Sequence, residues 1–402
     1  MAAMLYRRGN ESALAGSVLS RGFPGRRFGK TPLMGQHDES ADAFGSGEPF
    51  TVGVEEELFL VDPVTGRQAN ASGAVQERLG PVQGTVEREL HACQVELITE
   101  VCHSAGEAVG TLDGLRRAVL DTGAGLIGSG THPEAAEGEA DITDKERYER
   151  IRDLLGDAVA TPVGGLHIHI GMPDAETAIR SFNGLRRHLP LLQALAANSP
   201  YRHGRDTGLA SAREVTIRGW PRSGVPRAMR DYADFCGSAR LLARAADVPD
   251  YTWFWWKLRP HPRLGTVEIR ALDTQSSLRD TAALVALAHC LARHAAEGEP
   301  GADPPVELLE EGAFRAARFG VRARLPDAEG RLRAVADLLR DALEIAASHA
   351  GELGCEEELS GLPALLGHGG GAGRQRAAYE IAGMDGLLRE LTSVTALGLQ
   401  RR

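Results

Sequence analysis

The chain has 402 residues, 43% hydrophobic and 25% charged, a globular balance with room for one large or two moderate domains. Its formal net charge of -10 disfavours a general nucleic-acid role, and no apolar run approaches the roughly 20 residues a membrane span needs. The five cysteines (Cys93, Cys102, Cys236, Cys290, Cys355) form no CxxC pair and are odd in number, which argues against a disulfide framework and for a cytoplasmic location.

Residues 1–48 are rich in Gly, Ser and Arg without sustained periodicity, and disorder is expected there. The stretch 25–31 (GRRFGKT) imitates a phosphate-binding loop. It is one residue short between its glycines and no apolar strand precedes it, so it is set aside. From residue 49 to 402 a single domain is expected. Strands are predicted at 50–61, in part of 84–100, and at 126–130, 163–171, 251–259 and 265–273. Helical periodicity runs over 105–122, 174–197, 226–246, 278–297, 304–317 and 327–349, with Asp174 and Asp327 as N-caps. A glycine-rich break falls at 367–373. Several strands lie too close in sequence for parallel crossovers, so the fold class is α+β, an antiparallel sheet with helices on one face.

Three strands carry chemistry on one face and aliphatics on the other. In 51–61 (TVGVEEELFLV) alternation puts Glu55 and Glu57 together, opposite Val52, Val54, Leu58 and Leu60. In 164–171 His167 and His169 share a face, and in 265–273 Glu268 and Arg270 do. A floor of Glu, His and Arg suits a hard divalent cation and the phosphates it carries. Each strand also has a plainer reading. The glutamates would serve as acidic gatekeepers of an edge strand, the histidines as a hydrogen-bonded pair, and Glu268 with Arg270 as an ordinary salt bridge. Glu56 falls on the apolar face, where a lone carboxylate is a misfit. Glu96, in 94–99 (QVELIT), adds a fourth acid, and alone it reads as surface. The stretch 199–218 reads as a long loop whose arginines, Arg205 and Arg213 among them, would clamp an anion or simply face solvent. The aromatic run 251–256 (YTWFWW) would stack on a base or fill core. No Ser/His/Asp or Cys/His arrangement suggests a protein nucleophile.

The ordered series GVEEELFLVDP, QVELITEVC, GSGTHP, KERY, GLHIHIG, SPYRHGRDTGLASAR and LRPHPRLGTVEIRALDTQ resembles the type 2 glutamate–cysteine ligase family, the ATP-dependent carboxylate–amine ligases, over about residues 50 to 395. The resemblance implies the catalytic fold of glutamine synthetase and the guanidino kinases, a curved antiparallel sheet with helices on its convex face. It implies Mg²⁺ held by Glu55, Glu57, Glu96 and Glu268 with His167 or His169. Arg270 would then serve phosphoryl transfer, Arg205 and Arg213 would meet substrate carboxylate or phosphate, and Arg259, Trp256 and His167 would lie at the ATP. The implied partners are a small carboxylate, glutamate foremost, and an amine such as cysteine, on a possible homodimer. Lys257 departs from the acidic residue expected there. A small-molecule kinase on the same fold, or an inactive nucleotide-binding subunit, are the alternative readings.

Overall fold

In a computed structural model, residues 42–298 and 303–399 are described; the predicted disorder of 1–41 and the loop at 25–31 lie outside them. The strands are β1 Val52–Val61, β2 Thr85–Arg88, β3 Gln94–Ile98, β4 Gly125–Ile127, β5 Gly165–Gly171, β6 Tyr201–Arg202, β7 Arg205–Asp206, β8 Leu258–His261, β9 Thr266–Asp273, β10 Arg324–Pro326 and β11 Leu332–Ala334. The helices are α1 Ser72–Arg78, α2 Ala105–Asp121, α3 Glu146–Leu155, α4 Ala175–Arg186, α5 Leu189–Ala196, α6 Ala212–Ile217, α7 Tyr232–Ala246, α8 Leu278–Glu297, α9 Val306–Phe319, α10 Val335–Ala347, α11 Glu356–Leu359, α12 Leu362–Leu366 and α13 Gly370–Ala396.

Seven strands form the principal sheet, in the order β2-β3-β1-β5-β9-β8 with β4 continuing beside β1, and every pairing is antiparallel. The sheet is open, and its greasy face is covered by α2, α4 and α8. Alternation decides this: Val52, Val54, Leu58, Leu60, Leu166, Ile168, Ile170, Val267 and Ile269 all join the buried core. The fold class is therefore the α+β antiparallel sheet expected.

Glu56 points into that apolar layer and is fully buried. Its carboxylate receives two bonds from Arg116 of α2, at 2.9 and 2.8 Å, and one from the Thr281 hydroxyl of α8 at 3.0 Å. The residue that looked misplaced is the anchor of an internal ion pair.

Several predicted boundaries are corrected. The helix expected over 174–197 breaks after Arg186, because Pro190 at the start of α5 cannot donate to the preceding turn. Asp174 does cap α4, accepting from the Thr177 amide at 2.8 Å. Asp327 caps no helix: its carboxylate accepts from the amides of Glu329 and Arg331 in the β10–β11 turn, and α10 starts only at Val335. The helix expected from 226 begins at Tyr232, capped by Asp231. Residues 251–253 form a 3₁₀ turn capped by Asp250, so the strand there is only β8. The glycine-rich break is shorter than expected, with α13 starting at Gly370. The long loop at 199–218 holds a two-strand hairpin and α6. Residues 42–48, expected to be disordered, include Ala43 and Gly45, whose amides donate to the Pro262 and Met172 carbonyls.

Candidate active site

Strand register assembles the site. Glu55 of β1 lies opposite His167 of β5, and Glu57 opposite Glu96 of β3. His169 lies opposite Glu268 of β9, and Glu268 opposite Arg259 of β8. These side chains belong to the face opposite the helices, and Glu55, Glu57, Glu96, His167 and Arg259 among them line a cleft of about 260 Å³. The β5–β9 pairing slips by one residue between Leu166 and Ile168, so Arg270 and Ala271 together oppose His167. Such a bulge turns a side chain out of register, here the Arg270 guanidinium beside the cleft.

The contacts are close. His167 Nδ1 is 3.0 Å from Glu55 Oε2, and its Nε2 is 3.8 Å from Glu57 Oε1. His169 Nε2 is 3.2 Å from Glu55 Oε1 and 3.7 Å from Glu268 Oε1, while its Nδ1 meets Thr266 Oγ1 at 3.0 Å. Glu268 is fully buried between the guanidinium groups of Arg259 and Arg270. Arg259 is spent on Glu268 and on the carbonyls of Tyr251, Thr252 and Phe254. Arg213 donates to the Arg270 carbonyl at 3.1 Å, but its buried Nε has no hydrogen-bond partner among the described residues.

Gly165 makes room for this cluster. Its amide donates to Glu57 Oε2 at 2.6 Å. A methyl group on Gly165 would sit 2.7 Å from Arg213 Nη2, 2.9 Å from His167 Nε2 and 3.0 Å from Glu57 Oε2.

Charge is distributed unevenly. Burial opposes ionisation of Glu268, but Arg259 and Arg270 hold its carboxyl well below the usual range. Burial likewise opposes ionisation of Glu55, and His169 and His167 hold it low. At the other end, burial and then the neighbouring Glu89 push Glu57 up to about 8. Burial and the charges of Glu55, Glu89 and Glu57 push Glu96 well above its ordinary value, and burial raises Glu89 as well. His167 is drawn down to about 4, chiefly by burial and then by Arg270, which leaves a neutral imidazole with a lone pair to give.

Two sets of ligand atoms converge: Glu55, His167 and Glu268, and Glu57, Glu96 and His167, each with its atoms within 4.8 Å of one another. The Glu57, Glu89 and Glu96 carboxyls repel one another at close quarters, the situation a divalent cation relieves. Oxygen-rich donors with a shared imidazole fit Mg²⁺ or Mn²⁺ better than a structural zinc.

The sequence-selected residues separate here. Glu55, Glu57, Glu96, His167, Arg213, Arg259 and Arg270 line the cleft. Glu268 lies just beneath it, and His169 beside Glu268 and outside both ligand sets. Arg205 is exposed on the β6–β7 hairpin and does not line the cleft. Trp256 packs on Phe254, with ring centroids 5.2 Å apart, and the cleft wall is made instead by Trp255 and Trp220. Lys257 turns away and pairs with buried Glu214. His132 of the GSGTHP stretch staples its own loop: its Nδ1 accepts from the Glu134 and Ala135 amides, and its Nε2 meets the Gly66 carbonyl.

Sequence reasoning missed Glu89, Tyr148 and Trp220. For Glu89 a signal existed. Glu87 and Glu89 alternate around β2, which pairs with the strand carrying Glu96. Tyr148 comes from α3, whose Arg147 reaches the Thr252 carbonyl at 3.2 Å, and no local pattern discloses that placement.

Comparison with known proteins identifies the family and the fold. The family model described as glutamate–cysteine ligase family 2 matches residues 51–393. A Rubrobacter xylanophilus protein provisionally named glutamate–cysteine ligase 2-3 is 39% identical over 368 residues, covering 88% of this chain and 98% of that one. A provisionally named glutamate–cysteine ligase 2-1 of Mycolicibacterium smegmatis is 35% identical over 364 residues, covering 88% and 96%. Among solved structures, the Francisella tularensis glutamate–cysteine ligase in complex with AMP superposes with a TM-score of 0.63 at 11% identity, covering 88% of this chain and 89% of that one. A bifunctional glutathione synthetase from Pasteurella multocida gives 0.61 at 15% identity, covering 87% of this chain and 52% of that one. These two establish likeness of fold, and the sequence match establishes descent: the chain belongs to glutamate–cysteine ligase family 2.

Proposed function

We propose that the cleft joins a carboxylate to an amine at the expense of ATP, through an acyl phosphate, with the γ-carboxyl of glutamate as the leading donor and cysteine or another amine as acceptor. The observation that carries this reading is the pair of ligand sets sharing His167, flanked by Arg270 and Arg213. Family membership and the AMP bound by the Francisella protein support it.

A carboxylate resists attack by an amine, because its charge repels the nucleophile and oxide is a poor leaving group. Phosphorylation supplies phosphate as the leaving group. Glu55, Glu57, Glu96 and Glu268 with His167 would hold Mg²⁺, which when bound neutralises phosphate charge. Glu268 locks the Arg270 guanidinium beside them, where it meets the oxygens of the phosphoryl group in transit. Arg213, with its Nε unpartnered, receives the donor carboxylate. Trp255 and Trp220 close one wall and limit access of water that would hydrolyse the acyl phosphate. The reaction would run in the cytoplasm, where ATP is available.

The test is turnover. Purified protein with ATP, Mg²⁺, glutamate and a panel of amines should release ADP and phosphate in step with amide, detected by mass spectrometry. Glu57→Gln should abolish both. ADP release with a stable phosphorylated product and no amide would make the protein a kinase. No nucleotide turnover with any pair of substrates would refute the reading.

A further inference from the structure

Away from the cleft, two imidazoles meet where the last turn of α8 packs on the end of α10. His294 Nδ1 and His349 Nε2 are 3.3 Å apart, with ring centroids at 5.4 Å and planes inclined by 66°. Two nitrogens bound to one tetrahedral metal at ~2.0–2.1 Å stand about 3.3 Å from each other. The pair therefore already has the span that a single cation between the rings requires.

The two histidines are held differently. His349 directly follows α10, its amide donates to the Ala346 carbonyl at 3.0 Å, and its side chain is 12% exposed. Ala346 and Ala350 on either side of it are buried and anchor the segment. His294 is exposed on α8, the helix against which α10 packs. One ligand is thus fixed by packing, and the other opens the pair to solvent.

The surroundings favour a cation. His349 Nδ1, on the far side of the ring, faces Glu297 Oε2 at 3.9 Å. A carboxylate behind a ligating imidazole sets the tautomer and makes the outward nitrogen more basic. Arg293 donates to Glu297 at 2.6 Å and to Glu352 at 2.9 Å, so His349 has two carboxylates and one guanidinium as neighbours. Burial and then His294 hold His349 below the usual histidine value, which keeps its lone pair available at neutral pH. Without a metal the pair shares one N–H···N bond. With one, exposed His294 carries its proton on Nε2 instead.

We propose that His294 Nδ1 and His349 Nε2 are the protein ligands of a site for a borderline transition-metal dication, Zn²⁺, Ni²⁺ or Cu²⁺, with water completing the shell and Glu297 orienting His349 from behind. Imidazole ligands select these ions over Mg²⁺, which prefers oxygen. Bound metal ties the end of α8 to the end of α10. Neither histidine lines the catalytic cleft, so the site stands whether or not the chain is a ligase.

Calorimetric titration of the full chain with Zn²⁺ tests this, in a His167→Ala background that removes the imidazole shared by both ligand sets of the cleft. All five cysteines are buried and offer no competing surface thiol. One Zn²⁺ should bind saturably and raise the melting temperature, and excess Mg²⁺ should not displace it. His294→Ala changes an exposed side chain. It should weaken that binding by about tenfold or more and cancel the thermal shift, and Glu297→Gln should weaken it by about tenfold. The same comparison in the otherwise wild-type chain under saturating Mg²⁺ guards against a folding defect from His167→Ala. There, electron paramagnetic resonance with Cu²⁺ should show coupling to two imidazole nitrogens, and to one fewer after His294→Ala or His349→Ala. Zn²⁺ affinity and stoichiometry indifferent to both substitutions would overturn the proposal. So would a Cu²⁺ spectrum that neither substitution alters.

Discussion

Replacing Arg116 by Met tests how the sheet is held beneath the cleft. Arg116 and Glu56 are 1% and 0% exposed. All five N–H donors of the guanidinium are used: two on Glu56, and one each on the carbonyls of Gln275 (2.9 Å), Ser276 (2.8 Å) and Thr395 (3.4 Å). One side chain of α2 thus ties β1, the segment after β9 and α13. Arg116→Met leaves Glu56 as a buried, uncompensated charge, with only the Thr281 hydroxyl bonded to it. The expected loss is about 3–5 kcal/mol, a large share of the ~5–15 kcal/mol that holds a typical protein folded. Removing the second charge as well, in Glu56→Leu/Arg116→Met, should recover about 2 kcal/mol or more of that loss, because the desolvation penalty goes with the charge. Urea unfolding followed by circular dichroism measures both variants. A cost below about 1 kcal/mol for Arg116→Met, or a double variant no more stable than the single one, would refute the reasoning.

Four further outcomes follow from the cleft. Burial and Glu89 hold Glu57 protonated up to about 8 in the metal-free protein, against 4.5 for an ordinary glutamate, so Mg²⁺ binding should release protons and strengthen by up to about tenfold per pH unit between pH 6 and 8. Calorimetry in buffers of different ionisation enthalpy measures the release. Buried histidines held low, such as His167, are neutral in both states above about 6.5, and from there to about 8 the folded state holds a Glu57 proton that the unfolded state has lost, so metal-free stability should fall as pH rises through that window and saturating Mg²⁺ should offset the loss; a melting temperature that rises with pH between about 6.5 and 8 in the metal-free protein would contradict this. Gly165→Ala should fold but lose about 100-fold in turnover, because its methyl group displaces Arg213, His167 or Glu57. Arg213→Ala should raise the KM for the carboxylate substrate by about tenfold or more, whereas Arg205→Ala, on the exposed hairpin, should stay within about twofold of wild type in steady-state kinetics.

Much of this was legible in advance, and the failures are specific. Alternation alone placed Glu55 with Glu57, His167 with His169 and Glu268 near Arg270, since successive side chains of a strand face opposite ways. It also flagged Glu56 as a charge on the wrong face, without disclosing that Arg116, 60 residues on, would answer it. Asp174 was legible as a cap because capping is local, whereas Asp327 offered the same local signal and was taken up by a hairpin turn. Arg205 and Arg213 stood in one motif with equal claims. A hairpin left the first in solvent and α6 buried the second against the Arg270 carbonyl.

The amino-acid sequence by itself determined the family, the α+β class and the faces on which the acidic, imidazole and guanidinium groups would stand. Those properties are periodic or local, and they are written within a few residues of one another. Only the tertiary structure decided which groups meet: Glu57 with Glu96, His167 between Glu55 and Glu57, Trp255 rather than Trp256 at the cleft, and Lys257 turned away to Glu214. Neighbours across a sheet depend on strand order, on a register that a single bulge shifts by one residue, and on helices packed from distant parts of the chain. Side-chain periodicity fixes a direction and leaves the partner in that direction to packing.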